Sequence, residues 1–163
     1  MTTSSDRIEK KVLLRASRER VWRAISDSSQ FGSWFGVQFS GPFVAGTPIT
    51  GKIVPTTVDA EVARSQKPYE GNPFEFSVDR VEPMRLFSFR WHPFAVDRVD
   101  YSKEPSTLVV FELEEVSGGI MLTVTESGFD RIPPERRAKA FAANTQGWEA
   151  QTKLIEKYLA LAA

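Results

Sequence analysis

From Pro134 to about Tyr158 nothing in the chain interrupts a helix. Phe141, Thr145, Trp148, Thr152, Ile155 and Leu159 recur there at spacings of three and four, so they fall on one stripe. At the usual rise per residue such a helix is about 40 Å long. It follows a series of strand-like segments, and its stripe must be laid on the sheet they form. What lies beneath it is either a solid core or a pocket, and that alternative decides what the chain can do. Asn144 and Gln151 share a side seven residues apart and are placed to give polar contacts in an otherwise apolar pocket. Gly147 lies inside the helix at a cost of about 1 kcal/mol relative to alanine. It marks either a close approach of helix to sheet beside Trp148 or a soft point that bends for a ligand.

The preceding residues alternate with a period of two. Ile8, Lys10, Val12 and Leu14 read as a first strand over 8–14. Ser17 caps a short helix carrying Val21, Trp22 and Ile25, and Asp27 or Ser28 caps a second with Phe31, Trp34 and Phe35, ending near Gly36. Strands follow at Val37–Ser40, Pro48–Val54, Phe74–Val81, Met84–Trp91, Leu108–Glu115 and Ile120–Ser127. Residues 55–71 read as a loop or as a short helix around Ala60–Arg64. Turns at Pro83 and at Gly118-Gly119 give Phe74, Phe76, Val78, Phe87, Phe89, Trp91, Val109, Phe111, Leu113, Ile120, Leu122 and Val124 one common apolar face. A sheet with one wet face needs one cover, and the C-terminal helix supplies it. Arg80 and Glu126 continue two of these inward series and break the pattern, because burying a charge is costly unless it is paired or wetted. Either they reach the rim or bond to polar groups nearby, or they mark a water-filled end of a cavity where Glu126 meets a ligand.

Composition narrows the function classes. The chain has 163 residues and no low-complexity linker, and is expected to be a single domain over 7–160 with a disordered 1–6. Twelve Phe and four Trp suit cavity walls and an ordinary core equally well. With 21 basic and 21 acidic residues there is no basic stripe for nucleic acid. No apolar run approaches the ~20 residues of a membrane span, Met1–Asp6 lacks the start of a signal peptide, and a cytoplasmic location is expected. The absence of cysteine removes disulfides, thiolate catalysis and sulfur-bound metals. His92 is the only histidine, and no metal or cofactor is expected. Asp97, Asp100 and Asp130 lack the spacing of a calcium loop and read as solvated loop acids. There is no phosphate-binding glycine pattern and no Gly-x-Ser-x-Gly elbow.

Several segments carry a family likeness: Arg20-Val21-Trp22-Arg23-Ala24-Ile25; Trp91-His92-Pro93-Phe94-Ala95-Val96-Asp97 with Val99-Asp100-Tyr101-Ser102; Leu122 through Phe129; and Arg136-Arg137-Ala138 through Gly147-Trp148. Through them the chain resembles the bacterial homologues of the activator of heat-shock-protein-90 ATPase, in the SRPBCC (START / birch-pollen-allergen-like) superfamily. The resemblance spans about residues 7–160 and implies an α+β helix-grip fold. That fold is a curved antiparallel sheet of about seven strands, two short helices after the first, and a long C-terminal helix across the concave face. It also implies an apolar cavity between sheet and helix.

The leading expectation is therefore binding of a small hydrophobic or amphipathic molecule in that cavity. Its walls would be Trp22, Trp34, Phe76, Phe89, Trp91, Phe111, Leu122, Phe141 and Trp148, with Asn144, Glu126 and His92 as polar groups. One alternative is a cyclase, dehydratase or hydrolase using Glu126 as acid or base, with His92 the other candidate general base. Another is a protein-interaction module, with or without a chaperone partner. A homodimer is compatible with all three.

Overall fold

The computed structural model describes residues 7–92 and 105–161. Seven strands form one antiparallel sheet: β1 (Arg7–Leu14), β2 (Val37–Phe39), β3 (Pro48–Ile53), β4 (Pro73–Glu82), β5 (Leu86–Trp91), β6 (Thr107–Val116) and β7 (Gly119–Ser127), in the order β1-β7-β6-β5-β4-β3-β2. Helices α1 (Arg18–Ser26) and α2 (Ser28–Phe35) follow β1, α3 (Ala60–Gln66) lies between β3 and β4, and α4 (Pro134–Leu161) ends the described chain. This is the expected helix-grip arrangement. Among the described residues no helix is long and apolar enough to cross a membrane.

Local chemistry sets the helix boundaries. The Ser17 side chain accepts from the Arg20 N–H, and Asp27 accepts from the N–H groups of Ser29 and Gln30, so each side chain satisfies amides that a helix start leaves bare. Gly36 closes α2 in the left-handed conformation, φ 100°. Gly32, within α2, is required for another reason: a Cβ there would stand 2.1 Å from the carbonyl oxygen of Val37.

The segment 55–71, readable either way, holds α3 and a single 3-10 turn, Lys67–Tyr69. Asp59 caps α3 and also meets Lys157 of α4 at 2.6 Å. Strand β5 starts later than expected, because Met84 is a turn residue with φ 68°.

Two expectations are corrected. Arg80 does not face inward: the β4–β5 register shifts between Val78 and Arg80, and the extra residue, Asp79, turns Arg80 outward to Glu82. Ser88, on the opposite face of β5 from Phe87 and Phe89, is buried at that bulge, donating to Asp79 Oδ2 at 2.9 Å and accepting from the Arg80 N–H. Gly147 is not a point of close approach, since it is exposed and a Cβ there would meet nothing within 4 Å.

The core is a continuous aromatic cluster. Phe31 of α2 stands at its centre, with Phe39, Phe43, Phe76, Phe87, Phe89 and Phe111 at centroid distances of 5.6 to 6.5 Å. Phe76 and Phe89 stack at 4.0 Å on neighbouring strands. The rings meet mostly edge-on or tilted, the arrangement their quadrupoles favour. The α1–α2 corner is tied by the Trp34 indole N–H, which donates to the Ala24 carbonyl at 2.9 Å.

Candidate functional site

Alternation along β7 places Glu126 on the inner face after Ile120, Leu122 and Val124, opposite Val109 of β6 and Ile8 of β1. At the adjacent strand ends Trp91 of β5 pairs with Thr107 of β6. Three inward positions at one end of the sheet are therefore a tryptophan, a threonine and a glutamate. Asn144 and Trp148, one helical turn apart on α4, come down on them.

Glu126 has no exposed surface. Its Oε2 accepts from the Thr107 hydroxyl at 2.6 Å, the Trp91 indole N–H at 2.7 Å and the Asn144 amide at 3.1 Å. Its Oε1 accepts from the Trp148 indole N–H at 2.8 Å and the same Asn144 amide at 2.9 Å. Indole and amide N–H groups can only donate, so both carboxyl oxygens serve as acceptors. Every one of these partners is neutral, and two of them belong to α4. The carboxylate thus latches helix to sheet, and Trp91 and Trp148 stack above it at 5.6 Å.

Next to the latch a narrow seam runs between sheet and helix, lined by Trp34, Phe111, Leu122, Val124, Trp148, Gln151, Thr152 and Ile155. Nowhere is it wide enough to seat a water molecule. Ligand sites commonly enclose about 300–1,000 Å³. The bowl is therefore nearly filled by side chains while the helix is latched.

The sequence-predicted site residues divide accordingly. Trp91, Glu126, Asn144 and Trp148 form the latch, and Trp34, Phe111 and Leu122 line the seam with Trp148. Phe76 and Phe89 lie in the aromatic core, fully buried. Trp22 is half-buried on α1 at the edge of that core, and Phe141 packs edge-on against Phe129 at 5.2 Å, apart from the seam. His92 is half-buried at the end of β5 and is not among the donors to Glu126. Asp97 and Asp100, and most of the segment that carried the family likeness after His92, lie outside the described residues.

Thr107 was missed by sequence reasoning. Its signal was its register opposite Trp91, one strand from Glu126, which becomes legible only when the β5–β6 pairing is known. Gln151 donates from Nε2 to the Phe35 carbonyl at 3.1 Å, while its Oε1 is buried with no partner among the described residues.

The profile of a family described as "Activator of Hsp90 ATPase homolog 1-like protein" matches residues 15–160. Among solved structures the chain is similar to DynU16, a protein in the dynemicin biosynthetic locus, at 25% identity and TM-score 0.65. The match covers 94% of this chain and 47% of DynU16, so the chain spans about half of that protein's length. It is similar to protein MLL2253 from Mesorhizobium loti at 17% identity and TM-score 0.70, over 96% of this chain and 98% of that one. It is similar also to the Aha1 dimer from Colwellia psychrerythraea at 18% identity and TM-score 0.65, over 94% and 95%. No protein of curated function matches the sequence significantly.

Proposed function

The chain belongs to the Activator of Hsp90 ATPase homolog 1-like family, and from that premise we propose that it binds a small amphipathic molecule between the sheet and α4. The observation that carries this reading is the latch: a buried carboxylate whose partners among the described residues are all neutral, two of them on the helix above it. A carboxylate in an apolar interior is tolerated only while its lone pairs are satisfied. If α4 lifts, Asn144 and Trp148 leave Glu126, and ligand N–H or O–H groups take the place of their two donors. The exchange conserves hydrogen bonds at Glu126, while the ligand's apolar body gains burial against Trp34, Phe111 and Leu122 at ~25 cal/mol per Å². The latched structure is then the closed form, and its seam is the line along which it opens.

An acid–base role for Glu126 has less support, because neither oxygen has a free face toward the seam. A chaperone-partner role rests on the family's name, and the latch lends it nothing.

The test is titration of the intact protein with lipids, flavonoids and aromatic polyketides, followed by tryptophan fluorescence, since Trp34, Trp91 and Trp148 surround the site. Saturable quenching with a Kd near ~1 μM is expected. Unchanged fluorescence and an unchanged melting temperature across the panel, in a folded protein, would remove the proposal.

A further inference from the structure

The seam has a second polar mark, and it is unpaid. Gln151 lies seven residues beyond Asn144, about 10 Å along the helix, and faces the same side. Its Nε2 is held by the Phe35 carbonyl, which fixes which way the amide points. Its Oε1 is buried and has no donor among the described residues. A buried acceptor without a partner costs about 1–3 kcal/mol, and such orphans are few in folded proteins. The seam that Gln151 lines is too narrow for water to supply the missing hydrogen.

Gln151 is not the only donor to the Phe35 carbonyl. The Phe35 carbonyl it binds also accepts from Gln66 Nε2 at 3.1 Å. Around it the lining side chains are aromatic: Trp34 and Phe111 lie 6.4 Å apart with planes inclined by 34°, and Phe111 meets Trp148 edge-on at 5.7 Å.

We infer that Gln151 Oε1 is a specificity-determining acceptor in the binding site, and that the ligand is a flat aromatic molecule bearing a hydroxyl or N–H donor that reaches it. This rests on the ligand-binding reading above and adds to it a residue and a chemical class. Glu126 and Gln151 then mark two ends of one site, and a ligand with a donor at each end, about 10 Å apart along α4, satisfies both.

Two probes of nearly equal shape separate the terms: naphthalene and 2-naphthol, which differ by one hydroxyl. The protein is expected to bind 2-naphthol about tenfold more tightly, the factor for one net hydrogen bond in a dry site. In Gln151→Met, which keeps an unbranched side chain, that preference should vanish, read as the ratio of the two dissociation constants within each protein. Without any probe, Gln151→Met should melt at the same temperature as the parent or higher, since the variant removes an orphaned acceptor. A glutamine kept for structure would instead lower it. A hydroxyl preference that survives in Gln151→Met, or binding of both probes with no preference, would overturn this inference and leave the ligand-binding reading intact. Failure of both probes and of the wider panel would overturn the two together.

Discussion

Glu126 holds its place by having each lone pair answered, and the balance is sensitive to single atoms. In Glu126→Gln one acceptor oxygen becomes an NH2 group that faces donors from Trp91, Thr107, Asn144 or Trp148. The expected loss of stability is about 1–3 kcal/mol, read from the midpoint of urea unfolding. An unchanged midpoint would mean that the latch contributes nothing to the fold. Asn144→Ala is the more telling variant. It removes one of the two helix donors, so the folded state should lose about 1 kcal/mol. The open form becomes more populated, and ligand affinity should rise by several-fold because apparent Kd scales inversely with that population. Titration of parent and variant with one ligand decides this; weaker binding by the variant would place Asn144 in direct contact with the ligand. Phe31 belongs to a different class. It is fully buried and surrounded by rings from α2, β2, β4, β5 and β6. Phe31→Ala should cost about 3–5 kcal/mol, and near-parental stability would contradict the packing described.

The elements explain why two glycines in helices behave in opposite ways. Gly147 in α4 has open space where a Cβ would stand, so Gly147→Ala should add about 0.5–1 kcal/mol. Its retention in the middle of the helix that must lift fits a soft point, and the same variant should then bind ligand more slowly in stopped-flow fluorescence. Gly32 in α2 would drive a Cβ into the Val37 carbonyl, so alanine there should destabilise. Flanking Gly147, the Thr145 and Thr152 hydroxyls donate back to the carbonyls of Phe141 and Trp148, contacts that ease bending of a helix. The C-terminal end of α4 is tethered differently. Near its C-terminus Lys157 meets Asp59, Arg20 donates to the Leu159 carbonyl, and the Tyr158 hydroxyl donates to Gln30 at 3.2 Å. The latch therefore lies in the middle of the helix, away from these tethers.

Among the described residues, the titrating groups with shifted behaviour lie where α2 and α3 begin and α4 ends, so pH reports on those junctions. The Ser29 hydroxyl, together with the backbone amides of Gln30 and Ser29, outweighs burial and holds the Asp27 carboxyl below the usual carboxylate range. A lowered pKa in the folded state adds stability above the unfolded value of ~4, and that stability is lost as pH falls through the folded value. Burial, and after it the charge of Asp27, pushes the Tyr158 hydroxyl above the ordinary tyrosine value. A raised pKa adds stability that is fully present below ~10 and is lost as pH rises through the folded value. Melting temperature should thus form a plateau that falls at both ends, and Asp27→Asn should flatten the acid limb. An acid limb unaltered in Asp27→Asn would show that other carboxylates dominate it.

Much of this was legible without coordinates, for a physical reason. Period-two and period-3.6 patterns, Ser17, Asp27 and Gly36 as caps, and the Gly118 turn act over a few residues, so the strands, α1, α2 and α4 and the inward setting of Glu126 follow from local chemistry. Arg80 escaped that logic because one inserted residue in a strand resets the alternation, and no local signal marks the bulge. The state of the bowl also lay beyond it. Whether aromatic walls enclose a space or fill it depends on how rings from separate strands and helices interdigitate, and the same residues serve either outcome. The partners of Glu126 come from β5, β6 and α4, up to 35 residues away in the chain, and only the folded register brings those neutral donors to one carboxylate.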